Sequence, residues 1–221
     1  MNDPNQSVGR IFKVVGDRQA YQNLIYLAAA FPLGVLYFVF LVSGISTGIS
    51  LVIIWVGIPI LLLVGIGWWF MASFERYMAI NLLNEDIPEM MGPLNENADI
   101  WTRFKAFFSN PVTWKSLLYL FVKFPLGMAT FVILITLVAL TLALLSMPLT
   151  YESLYPFGEG ISIGMGLPVW HIDSLSDALI CVAIGLLLWP ATLHITNGLA
   201  WVHAKFARLM LSINPWERAA S

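Results

Sequence analysis

A chain of 221 residues that is 59% hydrophobic and only 11% charged lies far from soluble domains, in which about a quarter of residues are charged. Its net charge of −2 decides little, but its basic residues are few and lie beside the expected spans, which excludes a nucleic-acid binder, and the lone Cys181 excludes a disulfide framework within one chain. Four apolar stretches near 24–43, 49–71, 117–146 and 176–202 approach or exceed the roughly 20 helical residues that cross a hydrocarbon core, so the expected fold is an all-α membrane protein with four transmembrane helices.

All eleven Lys and Arg lie in the two tails, in the loop 72–116 or in the adjoining end of the third span. The turn expected at 44–48 and the segment 147–175 have none. Basic residues accumulate on the cytoplasmic side, so a multi-pass protein of the cell membrane with both termini inside is expected. The first twenty residues lack a continuous apolar core ending at a cleavage site, and no signal peptide is read there.

In chain order, Val8, Ile11, Phe12 and Val15 follow helical spacing with Arg10 and Lys13 between them. This predicts an amphipathic interfacial helix over 8–20. The first span contains Pro32, where a missing N–H and a ring clash bend a helix, and Gly34, which lets another backbone approach. The second span carries Pro59. The loop beyond it is acidic in its middle (Glu85, Asp86, Glu89, Glu96, Asp99) and reads as an exposed linker.

A second interfacial helix is expected over 98–110, where Ile100, Trp101, Phe104, Phe107 and Phe108 form one apolar face. The third span then opens on a stretch already seen. Tyr26-Leu-Ala-Ala-Ala-Phe31-Pro32-Leu-Gly34 returns as Tyr119-Leu-Phe-Val-Lys123-Phe124-Pro125-Leu-Gly127, at an offset of 93 positions. At the same offset Arg10 matches Arg103, Asp17 matches Asn110 and Tyr21 matches Trp114. Phe74-Glu75-Arg76 and Phe206-Ala207-Arg208 correspond at an offset of 132, so the second copy carries an insertion, placed in 147–175. Residues 1–97 form the first repeat and 98–221 the second. Two spans per copy make the repeat parallel, about an axis along the membrane normal. The expected architecture is two tandem pseudo-symmetric helical hairpins. Pro190 sits within the fourth span, and the insertion, rich in Gly, Pro and aromatic residues, is read as a lid.

The doubled Tyr-Leu-x-x-x-Phe-Pro-Leu-Gly resembles the prokaryotic Putative sensor membrane domain. So do Ile53-Ile-Trp-Val-Gly-Ile-Pro59, Phe74-Glu75-Arg76, Trp170-x-x-Asp173 and Asn197-Gly-Leu-Ala-x-x-His203. That domain stands at the N-terminus of some bacterial histidine kinases and alone in archaea. The resemblance implies a four-span input module for signalling across the membrane. The sequence ends without a kinase or DNA-binding segment, so the output is expected from a separate partner.

Candidate residues fall into three groups. Tyr155, Trp170, His171 and Asp173 are candidates for an extracytoplasmic ligand site, although Trp170 also suits an interfacial anchor. Phe31, Pro32, Gly34, Pro59, Phe124, Pro125, Gly127 and Pro190 are candidate hinge and packing residues. Glu75, Arg76, Asn197, His203 and Arg208 are candidates for a cytoplasmic relay. Ser174-x-x-Asp177 reads as a capping box ahead of the fourth span. Lys123, one turn inside the third span, is expected to snorkel to the interface.

His194 and His203 lie nine residues apart, about 900° of helix rotation, and so face opposite ways. No metal or cofactor is expected. Catalytic signatures such as H-E-x-x-H, the P-loop or G-x-S-x-G are missing from the sequence. The expected function is a non-enzymatic membrane sensor or regulatory module acting on a separate partner, with lipids and a protein partner or second copy as contacts. Alternatives are a channel or transporter subunit for an apolar or lipid substrate, and an accessory subunit of a larger complex. The span centres show only scattered Ser and Thr, which argues against a polar path.

Overall fold

The computed structural model describes residues 13–90, 109–154, 161–163, 170–172 and 174–212. Residues 8–12 and 98–108 of the two expected interfacial helices, together with Tyr155 and Asp173, lie outside the described residues. Over 13–20 the chain forms a 3-10 turn at Val14–Gly16, is extended at Asp17 and then enters the first long helix at Arg18. Four long helices dominate: α1 (Arg18–Ser50), α2 (Gly57–Leu83), α3 (Pro111–Leu154) and α4 (Leu175–Met210). Each is long and apolar enough to cross a membrane, and a helix satisfies every backbone group internally where there is no water to do so. Between α3 and α4, β1 (Ile161–Ile163) pairs antiparallel with β2 (Trp170–Ile172), with Ser162 opposite His171.

The helix starts reflect the repeat. Asp17 accepts from the N–H of Gln19 at 3.0 Å, and Asn110 accepts from the N–H of Val112 at 2.9 Å. The two caps stand at equivalent positions, each bonding the second helical residue, and Pro111 follows Asn110 at the position where proline costs nothing. Ser174 caps α4, accepting from the N–H of Asp177 at 3.3 Å and donating to its carboxylate at 2.5 Å. Ser174 is therefore the N-cap of α4, with the Asp177 carboxylate bonded to its hydroxyl.

The first turn is not at 44–48. Residues 44–50 remain in α1, and the chain reverses over a 3-10 turn at Val52–Ile54 with Trp55 left-handed at φ 65°. Gly44 and Gly48, which suggest a turn in sequence, are contact glycines instead. A Cβ on Gly44 would stand 2.5 Å from Val64 Cγ2, and one on Gly48 2.5 Å from Leu61 Cδ2. Gly57 is required by the reversal itself, since a Cβ there would strike the Gly48 carbonyl and the Val52 nitrogen. Pro59 consequently falls in the first turn of α2, where a proline needs no kink.

The described residues divide between two compact units, one drawn from 21–90, 109–131 and 197–212, the other from 13–20, 132–154, 161–163, 170–172 and 174–196. In the first, Tyr37, Leu41, Val64, Trp68, Ala72, Tyr119, Leu120, Ala207 and Leu211 belong to one buried core. In the second, Met147, Ala178 and Cys181 pack with Leu144, and the hydroxyls of Thr141 and Thr192 lie 3.4 Å apart.

Within the first unit, α1 and α3 meet reciprocally. A Cβ on Gly34 would come 2.9 Å from Phe124 Cα, and one on Gly127 would come 2.7 Å from the Ala30 carbonyl and 3.2 Å from Phe31 Cα. Phe31 stacks on Phe131 at 4.9 Å and Phe38 on Phe124 at 4.8 Å, with interplanar angles of 24° and 26°. Each of these contacts maps onto the other by the offset of 93. Pro32 and Pro125 sit beside this crossing on exposed faces, whereas both glycines are buried.

Candidate functional site

The same crossing holds a buried charge cluster. Lys123, expected to snorkel, is fully buried. Its Nζ lies 2.9 Å from Glu75 Oε2 and donates to the Tyr26 hydroxyl at 2.6 Å. It also stands 4.3 Å from the centre of the Tyr26 ring, a cation–π contact that is strongest when desolvated. The Tyr119 hydroxyl donates to the same carboxylate oxygen at 3.0 Å and that of Tyr26 at 3.5 Å. A lysine snorkels when its side chain can reach water. This one leaves α3 on the face that carries buried Tyr119 and Gly127, so a carboxylate on α2 is its nearest relief.

His203 closes the cluster from α4. It is 1% exposed, and its ring meets that of Tyr26 edge-on at 5.8 Å. All four helices thus contribute: Tyr26 and Tyr37 from α1, Glu75 from α2, Tyr119 and Lys123 from α3, His203 from α4. Glu75 Oε2 accepts three donors, while Glu75 Oε1, the Tyr37 hydroxyl and His203 Nε2 are buried without a hydrogen-bond partner. The cluster is thus a polar centre enclosed by apolar surroundings.

Sequence reasoning grouped Glu75 and His203 as cytoplasmic-relay candidates but did not bring them into one buried cluster. It missed Tyr26, Tyr119 and the pairing of Lys123. The available signal was the repeat itself, because Lys123 replaces Ala30 and Glu75 replaces Ala207, both buried. Charges substituted into buried alanine positions of a duplicated helix pair call for each other.

The remaining relay candidates stand nearby in the same unit. Asn197 accepts from Asn23 at 2.9 Å. Ser116, equivalent to Asn23, instead accepts from the indole N–H of Trp68 at 2.9 Å. Arg76 donates to the carbonyls of Ile87 at 2.7 Å and Pro88 at 3.0 Å. Arg208, its equivalent in the second copy, and Lys205 both bond Glu85, at 3.1 and 2.9 Å.

These bonds correct the reading of the loop start as an exposed linker. Residues 84–90 form a strap whose Ile87 and Met90 are buried, and Asn110 donates to the Met90 carbonyl at 3.3 Å. The acidic residues suggested solvent, but two arginines and two apolar plugs decide the outcome. Burial raises the pKa of the Glu85 carboxyl, yet hydrogen bonds and charge from Lys205 and Arg208 outweigh it and hold the group below its ordinary value.

Of the other candidates, Pro190 is buried within α4, and Trp170 and His171 lie on β2. His194 is exposed and His203 buried, as opposite faces require. Among the described residues no three His, Cys, Asp or Glu side chains gather as a metal site would need.

Four apolar helices with a sealed charge cluster define a multi-pass helical membrane protein built on a buried ionic node. The family model described as Putative sensor matches residues 26–211, and the chain belongs to that family. No curated protein and no solved structure matches it.

Proposed function

We propose that this protein is a non-enzymatic sensor or regulatory module of the cell membrane. Both termini lie in the cytoplasm, and it relays an envelope, lipid or small apolar signal to a separate cytoplasmic or membrane partner. The observation that carries this reading is the Lys123–Glu75 pair, sealed at 1% and 0% side-chain exposure and touched by groups from every helix. A buried pair is either made or broken, and breaking it by losing one partner costs about 3–5 kcal/mol. A two-state element of that kind is what coupling between distant sites requires. Arg76 adjoins Glu75 in sequence and grips the 84–90 strap, which links the node to the end of the bundle where a partner would read it.

One observation favours a second reading, a channel or transporter subunit, because ionisable residues inside membranes commonly mark substrate or proton pathways. Their closure from solvent supports the relay over the pathway. Native mass spectrometry of the protein taken gently from its membrane tests the choice, comparing wild type with Glu75→Gln/Lys123→Met. A stoichiometric protein partner that is weakened in the double variant, with helix content unchanged, is the expected result. A partner held equally by both forms makes the chain an accessory subunit, and solute flux through vesicles containing the chain alone makes it a transporter.

A further inference from the structure

Farther along α2 from the node, an apolar cavity of about 320 Å³ opens between α1 and α2, lined by Ile45, Ile58, Leu61, Leu62, Val64, Gly65 and Trp68. Its rim is Ile58 and Leu62, which are 45% and 42% exposed. Its floor is Val64, Gly65 and Trp68, all buried. The one polar group of the floor is already engaged, since the Trp68 indole donates to Ser116 and Ser116 in turn donates to the Thr113 carbonyl.

Gly65 separates this cavity from a packing defect. The other glycines of the α1–α2 pair are forced by contact, as Gly44, Gly48, Gly57 and Gly67 would each drive a Cβ into a neighbour. Gly65 would not, for nothing lies within 4 Å of a Cβ built there. Glycine inside a helix is destabilising by roughly 0.5–1 kcal/mol relative to alanine, and a larger side chain would fill the space. What glycine does at this position is keep the cavity open.

We propose that this cavity is a binding site for a compact, uncharged apolar molecule that reaches it from the bilayer past Ile58 and Leu62. An apolar cavity of about 150 Å³ accepts benzene, so this one takes a body of about two rings, within the size range of small-molecule sites. A charged or hydrogen-bonding ligand finds no free partner on the floor. That the site is the input of the sensor rests on the function proposed above, and its route is short. Trp68, Ala72 and Glu75 are buried along one face of α2, and Ser116, Tyr119 and Lys123 along one face of α3. A molecule pressing on Trp68 therefore acts two helical turns from the ion pair.

The test uses the full chain in lipid nanodiscs, labelled with 5-fluorotryptophan, the Trp68 resonance being assigned with Trp68→Phe. Addition of 1-bromonaphthalene is expected to shift that resonance saturably, with the shift weakened in Gly65→Ala and lost in Gly65→Leu. Both variants should melt no lower than wild type. A non-saturating shift shared by the exposed tryptophans Trp55 and Trp201 would mean partition into lipid and would overturn the site. A Trp68 resonance already shifted by lipids with brominated acyl chains, and unaffected by the probe, would assign the cavity to a lipid chain and equally overturn it. Spin labels at Tyr77 on α2 and Leu118 on α3 separate the two claims. Saturable binding with no change in their distance keeps the site and sinks the relay.

Discussion

Gly34 and Gly127 each press against the backbone that leads up to the other: Gly34 on Lys123 and Phe124, Gly127 on Ala30 and Phe31. Close approach at these glycines brings Lys123 within reach of Tyr26 on the neighbouring helix. Gly34→Ala and Gly127→Ala are each expected to destabilise the bundle by about 1–3 kcal/mol, the usual cost of overpacking. Reversible unfolding in bicelles measures it. Because the two sites share one crossing, the double variant should depart from additivity.

The ion pair predicts a sharper pattern. Lys123→Met alone leaves a buried carboxylate, and Glu75→Gln alone leaves a buried ammonium, so each should cost about 3–5 kcal/mol. Removing both leaves no unpaired charge, and the double variant should recover most of that loss. A double-mutant cycle in the same unfolding assay reads the coupling, and simple additivity of the two losses would contradict the pairing.

Asp17 and Asn110 do the same work at equivalent helix starts. Alanine at either should cost about 1 kcal/mol, as loss of an N-cap does. Here the effects should add, since the caps lie on different helices. Hydrogen exchange of the first-turn amides, Gln19 in one case and Val112 in the other, localises each loss.

The strap at 84–90 should be sensitive to acid. The folded Glu85 carboxyl sits below its ordinary value. Its contribution is therefore complete above the unfolded carboxylate range and is lost as pH falls through the lower folded value. Amide exchange over 84–90 should quicken with acidification across that window, and Glu85→Gln should flatten the response. Lys205 and Arg208 are about half exposed, at 45% and 49%, so added salt should weaken the same contact.

The spans were legible because a bilayer imposes a length and an apolar composition, and the repeat was legible because Phe-Pro-Leu-Gly recurs unaltered. Other features turned on what lies opposite a residue, which one chain read in order does not show. Gly44 and Gly48 punctuate the sequence like a turn but serve a helix contact, since Val64 and Leu61 face them. Lys123 looked like an interfacial charge because its depth was readable and its azimuth was not. Its partner lies 48 positions earlier, on a helix whose rotation is set by packing. Ile87 and Met90, alternating with acidic residues and proline, were the muted sign that the supposed linker was anchored.

The separation of 48 positions between Glu75 and Lys123 also bears on how the protein is made. During synthesis α2 leaves the ribosome before α3, so the carboxylate reaches the membrane ahead of its counter-charge. A carboxylate in a transmembrane helix is costly to insert alone. The first hairpin is therefore poorly suited to release into lipid by itself and gains from waiting at the insertion machinery until Lys123 emerges. Insertion of the first duplicated half is therefore expected to be assisted by arrival of the second.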